Sequence, residues 1–328
     1  MDGLSQAVRA LAQANVSGIA GSFGNAGWSV RMPASGILQL TSPTHSPRRP
    51  RLLLSVGIHG DETAPIELLG HLLHELAQTP RALALDLMIV VGNPAAIEQE
   101  KRFVDADLNR MFSDHRDAVQ AAAEAVRADE IMRATASFFA EGGTQKWHFD
   151  LHTAIRPSLY PAFAVLPGVL EGARRHILLG WLGSAGIGAA ILNRNPAGTY
   201  SAYTAGACGA TSATIELGQV AALGCNDLSR FDAARAALAA FLRGGAPPAS
   251  AGMPHVFKVA QELVKRSESF RLAFDRDTPN FAAFQPGMVV AQDGAAIYRV
   301  GAETEYVVFP NPDVRIGLRA GLMVVRVE

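Results

Sequence analysis

Cysteine is almost missing from this chain: 328 residues hold two, Cys208 and Cys225. Two thiols so far apart build neither a disulfide framework nor a four-thiolate zinc site, and a reducing compartment fits best. An excess of one charge is missing too, because 29 Lys and Arg face 30 Asp and Glu, for a formal net charge of −1. Without a positive field to hold a polyanion, nucleic acid is not an expected partner. No long apolar run is present. The longest weakly polar stretch, from Ile177 to Leu192, is broken by Gly180, Gly183, Gly186 and Gly188 and falls short of the ~20 residues of a membrane-spanning helix. The opening stretch MDGLSQAVRALAQANVSG mixes Asp, Gln, Arg and Asn into its first turns. It offers no apolar segment of signal-peptide length, so a cytoplasmic protein with no membrane partner is expected.

What is present is a globular composition. Hydrophobic residues make up 49% and charged residues 18% of the chain, with no repeat and no like-charged block, which excludes a disordered tail or a coiled coil. The first ~250 residues alternate β-rich runs with helical patterns, the signature of an α/β sheet flanked by helices. RLLLSV (51–56), LDLMIVV (85–91), WHFDL (147–151) and SATIEL (212–217) read as strands. Helical spacing over Ala64–Leu76 and an Ala-rich stretch from about Ala118 to Ala140 supply crossovers long enough to require mostly parallel pairing. Ligands in such sheets bind beyond the carboxyl ends of the strands, so the polar clusters after each run are the ones to examine. Near Gly244-Gly245-Ala246-Pro247-Pro248 the composition changes to short strands separated by turns. The expected division is an α/β domain over 1–246 and a β-rich domain over 247–328.

His59 and Glu62 lie three residues apart in the loop GIHGDETAP after the first strand, with Gly57 and Gly60 allowing tight turns. His152 closes a later strand, and Asp150, two residues earlier, faces the same side. Two histidines and a carboxylate are the ligand count of a hydrolytic zinc site with a position left for water. Asp150 would orient His152 through its other ring nitrogen. Cobalt or nickel suits the same donors. On these residues alone an HxxE pair in a loop also reads as an exposed polar pair. The remaining histidines, His45, His71, His74, His115, His148, His176 and His255, show no comparable grouping and read as structural or solvated.

Glu216 ends an apolar strand run inside an otherwise uncharged stretch. A carboxyl buried there would have a raised pKa suited to a general base, although a capping or ion-paired Glu is equally consistent. Arg102, Asn109 and Arg110 cluster in KRFVDADLNRMF. Arginine grips carboxylates in a bidentate fork and stabilises charge on a carbonyl oxygen. The same residues also suit a solvated loop with internal ion pairs.

Taken in order, GIHGDETAP, GNPAA, KRFVDADLNRMF, DLHTAIRPS and TIELGQ resemble the succinylglutamate desuccinylase and aspartoacylase family, a branch of the zinc carboxypeptidase-like hydrolases. DTPNF, AQDG and YVVFPNPDVRIGLRAGLM extend the resemblance from about residue 50 to the end, on the side of the desuccinylases. The resemblance implies a carboxypeptidase-like α/β domain with a mixed sheet and a β-rich domain at the active-site mouth. It implies one zinc per subunit on His59, Glu62 and His152, with Glu216 as the catalytic glutamate and Arg102 polarising the scissile carbonyl. Asn109 and Arg110 would hold the carboxylate of the released amino acid. The implied reaction is hydrolysis of N-succinyl-L-glutamate to succinate and L-glutamate in arginine breakdown.

The chain departs from the family at one point. Related enzymes carry an Arg about ten residues before the catalytic glutamate, where it can grip a second carboxylate, and this chain has Gly206 there. Arg156 and Arg194 are the substitutes considered, each expected just after a strand run that ends near the site. Other readings are a deacylase of another N-acyl amino acid such as N-acetylaspartate, a peptide carboxypeptidase, and a non-catalytic zinc or metabolite-binding protein. The last conflicts with a count of three ligands, since structural zinc sites are normally closed by four. Composition sets no oligomeric state.

Overall fold

The computed structural model describes residues 4–327 apart from 45, 47, 114, 115, 117–120, 142, 144, 195–197 and 251. Helices α1 (Gln6–Ala12) and α2 (Ser17–Asn25) lead into strands β1 (Ser29–Arg31) and β2 (Ile37–Thr41). There follow β3 (Arg51–Val56), α3 (Ala64–Gln78), β4 (Asp86–Val91), the short α4 (Pro94–Glu98), α5 (Ala123–Ala140) and β5 (Lys146–Ala154). Next come β6 (Ala162–Pro167), α6 (Gly172–Ser184), β7 (Ala189–Asn193), α7 (Tyr200–Ala207), β8 (Thr211–Gln219) and α8 (Asp232–Leu242). Beyond α8 the described elements are all strands: β9 (His255–Val264), β10 (Arg271–Leu272), β11 (Ala283–Phe284), β12 (Val289–Asp293), β13 (Ala296–Arg299), β14 (Glu305–Val308) and β15 (Arg319–Arg326). His45, His115 and the first residues of the expected Ala-rich helix lie outside the described residues.

Twelve strands form one sheet in the order β1-β2-β4-β3-β5-β8-β6-β7-β9-β15-β14-β11, and β10, β12 and β13 form a second. The block β4-β3-β5-β8 is parallel. Every residue of β3 and β4 is buried, as expected where helices cover both faces of a parallel sheet. Against those strands α3 buries ten residues, among them Ile66, Leu69, Leu72, Leu73 and Leu76, and it begins at Thr63 with Pro65 in its first turn, where a missing N–H costs nothing.

The sheet differs from the parallel expectation beyond β8. Strands β6 and β7 run parallel to each other, and β6 is antiparallel to β8. Their residues AFAVLP and AAILN include alanine, whose weak β-propensity leaves their pairing to neighbours and burial. Strand β9 then continues the sheet by pairing in parallel with β7. One apolar cluster spans this join, combining Ala154, Phe163 and Ile191 with Phe257, Phe281, Val308, Leu322 and Val324. A further cluster, including Leu263, Phe270, Val290 and Met323, belongs to the C-terminal strands alone.

Candidate metal and catalytic centre

His59 and Glu62 occupy the connection from β3 to α3. That connection turns at Gly57, whose φ of +62° suits glycine. At Gly60 a Cβ would collide with the Ala96–Ile97 peptide, so the loop lies directly on the start of α4. The opposing side of the site comes from β5 and β8, whose parallel register sets His152 directly against Glu216.

The side chains of His59, Glu62 and His152 converge, with one ligand atom of each within 4.8 Å of the others, and all three are buried. His59 Nδ1 lies 2.7 Å from Glu62 Oε1 and His152 Nδ1 lies 2.8 Å from Glu62 Oε2. The Thr153 N–H and Arg102 Nη1 also donate to Glu62, at 3.0 and 2.8 Å. Burial opposes ionisation of Glu62, but His59 and His152 outweigh it and hold the carboxyl well below its usual range. Burial pulls His152 down as well, yet Asp150 and Glu62 raise it well above an ordinary imidazole. His59 is raised too, by Glu62 and Asp107 against burial and the charge of Arg102. Both imidazoles thus face one buried carboxylate. A divalent cation fits this donor set of two nitrogens and a carboxylate, since nitrogen ligands bind metal in their neutral form and a cation would take the place of protons there.

Each histidine is held from behind. His59 Nε2 lies 2.9 Å from Asp107 Oδ1, a partner the sequence reading passed over although it stands within KRFVDADLNRMF. Asp107 Oδ1 also accepts the Asn109 N–H at 2.9 Å, which couples the ring to the single 3-10 turn Leu108–Arg110. His152 Nε2 comes within 3.0 Å of the fully buried Asp150 Oδ2, a charge contact. Asp150 Oδ1 accepts from Ser55 Oγ at 2.6 Å, and Ser55 in turn takes the Nε2–H of His148 at 2.8 Å. His148 Nδ1 then faces Thr204 Oγ1 at 2.8 Å. Burial, together with the charge of His152, pushes His148 down to about 4. It is therefore a neutral member of a buried chain ending on Asp150, and not a solvated residue. Its position opposite Leu53 on β3, one strand from Ser55, could not be seen in the sequence.

Glu216 is 6% exposed, and among the described residues its Oε2 has no hydrogen-bond partner. Burial raises its pKa to about 7, with His152 pulling down and Glu62 pushing up. A carboxyl poised near neutrality beside a metal-ligand cluster is suited to taking and returning a proton.

Of the remaining candidates, Asn109 is buried and its Oδ1 accepts the Tyr200 N–H at 2.9 Å. Arg110 is exposed, donates to its own Asn109 carbonyl at 2.7 Å, and acts on Asp107. The two substitute anchors do not reach the centre. Arg156 donates to the Pro310 carbonyl, and the charges acting on it are Arg276, Asp313 and Asp277 of the C-terminal strands. Arg194 follows the end of β7 that pairs with Pro167, whereas Glu216 pairs with Phe163 at the other end of β6. The expectation that this run ends near the site fails because β6 reverses direction. Gly206 is exposed near the end of α7, where Lys146 Nζ reaches the Cys208 carbonyl, six residues from His152 along β5.

The succinylglutamate desuccinylase/aspartoacylase catalytic domain family matches residues 48–242, and the barrel-sandwich hybrid domain of the same proteins matches residues 252–327. A succinylglutamate desuccinylase of Burkholderia thailandensis is 41% identical over 90% of this chain and 85% of its own length. The crystal structure of a succinylglutamate desuccinylase from Vibrio cholerae superposes with a TM-score of 0.83 at 32% identity, covering 91% of this chain and 88% of that one. That from Chromobacterium violaceum gives 0.81 at 34% identity, covering 95% and 98%. Among the described residues no helix is long and apolar enough to cross a membrane.

Proposed function

The chain belongs to the succinylglutamate desuccinylase/aspartoacylase family, and from that premise we propose that it hydrolyses N-succinyl-L-glutamate to succinate and L-glutamate with one zinc ion held by His59, Glu62 and His152. The observation that carries this reading is the pairing of Glu216 against His152, a buried carboxyl with a free oxygen beside three converging ligands. Zinc supplies Lewis acidity and a water nucleophile at neutral pH.

The residues around it do the rest. Glu216 takes a proton from the attacking water on its free Oε2 and returns it to the amide nitrogen as the C–N bond breaks, so that glutamate leaves as the amine and succinate as the carboxylate. Arg102, held over Glu62 by its Nη1 bond, turns its remaining donors toward the carbonyl oxygen as negative charge develops there. Asn109 and Arg110 receive the α-carboxylate of the amino acid. The cytoplasm is the proposed location, and the substrate is the partner.

The test is a coupled assay of glutamate release by the purified chain, before chelation, after it, and after zinc is restored. Release should vanish with chelator and return with zinc, and Glu216→Gln should keep its zinc while kcat falls by roughly 10²–10⁴-fold. Faster turnover of N-acetylaspartate than of N-succinylglutamate would move the assignment to the other branch of the family. Near-normal turnover by Glu216→Gln would remove its role as the base.

A further inference from the structure

The segment that carries Arg102, Asp107, Asn109 and Arg110 has no regular structure before the 3-10 turn Leu108–Arg110. Val104 and Asp105 in its middle are exposed, so packing alone does not hold them. Beneath them lies Glu124, 2% exposed in the first turn of α5. Three successive N–H groups donate to its carboxylate: Val104 to Oε1 at 2.7 Å, Asp105 to the two oxygens at 3.3 and 3.2 Å, and Ala106 to Oε2 at 3.2 Å. Asn93 Nδ2 adds a fourth donor, 3.1 Å from Oε1. The loop answers in kind, because Asp105 Oδ2 accepts the Ala123 N–H at 3.1 Å, one of the opening N–H groups that a helix cannot pair internally.

Both ends of the braced stretch run straight into the centre. Just before it, Arg102 donates to Glu62, and the Arg102 carbonyl accepts the Gly60 N–H at 3.2 Å. Just after it, Asp107 Oδ1 meets His59 Nε2 and accepts the Asn109 N–H, both at 2.9 Å. Asn93 extends the brace to the other loop of the site. Its Oδ1 caps α4 on the Ala96 N–H at 3.2 Å, and the Ala96–Ile97 peptide is the one on which Gly60 rests. Glu124 and Asn93 therefore set the His59–Glu62 loop and the Arg102–Arg110 segment relative to each other. A carboxylate suits this task, since its two oxygens only accept and four donors converge on them. An amide in its place would turn an NH2 group toward N–H groups and leave at least one of them unmatched.

We infer that Glu124 is a positioning residue, which fixes the segment Arg102–Arg110 against the centre and thereby sets the preference for a substrate with a free α-carboxylate. It acts through the backbone of residues 104–106 and not on substrate or metal. This rests on the proposed hydrolysis of an N-succinyl amino acid, in which Asn109 and Arg110 receive that carboxylate and Arg102 faces the carbonyl oxygen. A shift of about 1 Å in such groups costs on the order of 10²-fold even when its origin is remote. Asn109 keeps its bond from the Tyr200 N–H when Glu124 is changed, so the segment stays attached to α7 and what is lost is its position.

The experiment compares wild type, Glu124→Gln and Glu124→Asp on N-succinyl-L-glutamate and on N-succinyl-L-isoglutamine, whose α-carboxylate is an amide. Zinc is restored before each assay, and zinc content and Tm are measured on each protein. The ratio of kcat/KM for the two compounds does not depend on how much of a preparation is folded, so it reads position and not stability. Wild type should prefer the acid. Glu124→Gln should lose roughly 10- to 100-fold in kcat/KM on the acid and less on the amide, so that the ratio narrows by about 10-fold. The loss common to both compounds reports Arg102, and the difference between them reports Asn109 and Arg110. Glu124→Asp keeps the charge on a side chain one methylene shorter and should fall between the two; it carries the same test if the glutamine variant does not fold. An unchanged ratio in zinc-loaded variants, whatever their Tm, overturns the inference and leaves Glu124 a contributor to stability alone. An active wild type with no preference for the acid overturns it as well, because the segment then does not read the α-carboxylate. Wild type inactive on both compounds refutes the hydrolytic reading and the inference with it, a result distinguishable from an active enzyme whose ratio ignores residue 124.

Discussion

Glu216 and Glu62 are both buried carboxyls shifted in opposite directions. Glu62 accepts from His59, His152, Arg102 and Thr153 N–H, so its negative charge is matched where it stands. Glu216 has an oxygen with no partner, so burial dominates and protonation is favoured near neutral pH. Because its folded pKa of about 7 lies above the ordinary 4.5, the native chain binds the extra proton between those values and the unfolded chain does not. The stability this contributes is present below pH 4.5 and is lost as pH rises through 7. In the metal-free protein, Glu216→Gln removes that dependence. The Tm difference between Glu216→Gln and wild type should therefore widen in favour of the variant from pH 5 to pH 8, by about 2 °C or more. A difference that stays constant over that range would show that the carboxyl titrates normally. Motif and strand-end position singled out His59, Glu62, His152 and Glu216, and the fold brings these residues together. The same signals passed over Asp107 and His148, because each acts on a residue 48 or more positions away, or through Ser55 on another strand.

At the scale of elements, the site depends on a loop pressed between two secondary structures. Gly60 lets the β3–α3 connection lie against the Ala96–Ile97 peptide, and its N–H reaches the Arg102 carbonyl at 3.2 Å. One glycine therefore sets the approach of the HxxE segment to the segment carrying Arg102 and Asp107. Gly60→Ala should lower the Tm by 5 °C or more and reduce zinc retention on dialysis, because backbone, not a flexible side chain, must yield. A variant of unchanged Tm and zinc content would show that the loop has slack. Strands β3, β4, β5 and β8 were legible as apolar runs because parallel strands buried on both faces carry continuous hydrophobic residues. The direction of β6 and β7 was not legible, since the pairing of short alanine-containing runs is set only by their neighbours. Their reversal also took Arg194 away from the centre.

For the molecule as a whole, the C-terminal strands continue the main sheet and share an apolar cluster with it. Residues Phe163 and Ile191 of the α/β part pack in one cluster with Phe257, Phe281 and Leu322, and β9 covers the edge of β7. A chain ending at residue 246 would expose both that cluster and an unpaired strand edge, a combination that promotes aggregation. It should elute as large aggregates on size-exclusion chromatography. A monodisperse, zinc-binding fragment would show that the two parts fold independently.

The order of chemistry-bearing motifs is local information. The candidate ligand types, the carboxylate at a strand end and the break in composition near residue 246 were therefore all set by the sequence. Which groups stand opposite one another is set by strand pairing and by the path of the chain over tens of residues. The register of His152 with Glu216, the support of His59 by Asp107, and the direction of β6 and β7 were therefore decided only by the tertiary structure. Charges and hydrogen bonds act across space at a few ångströms, and a sequence gives no measure of that distance until the sheet is closed.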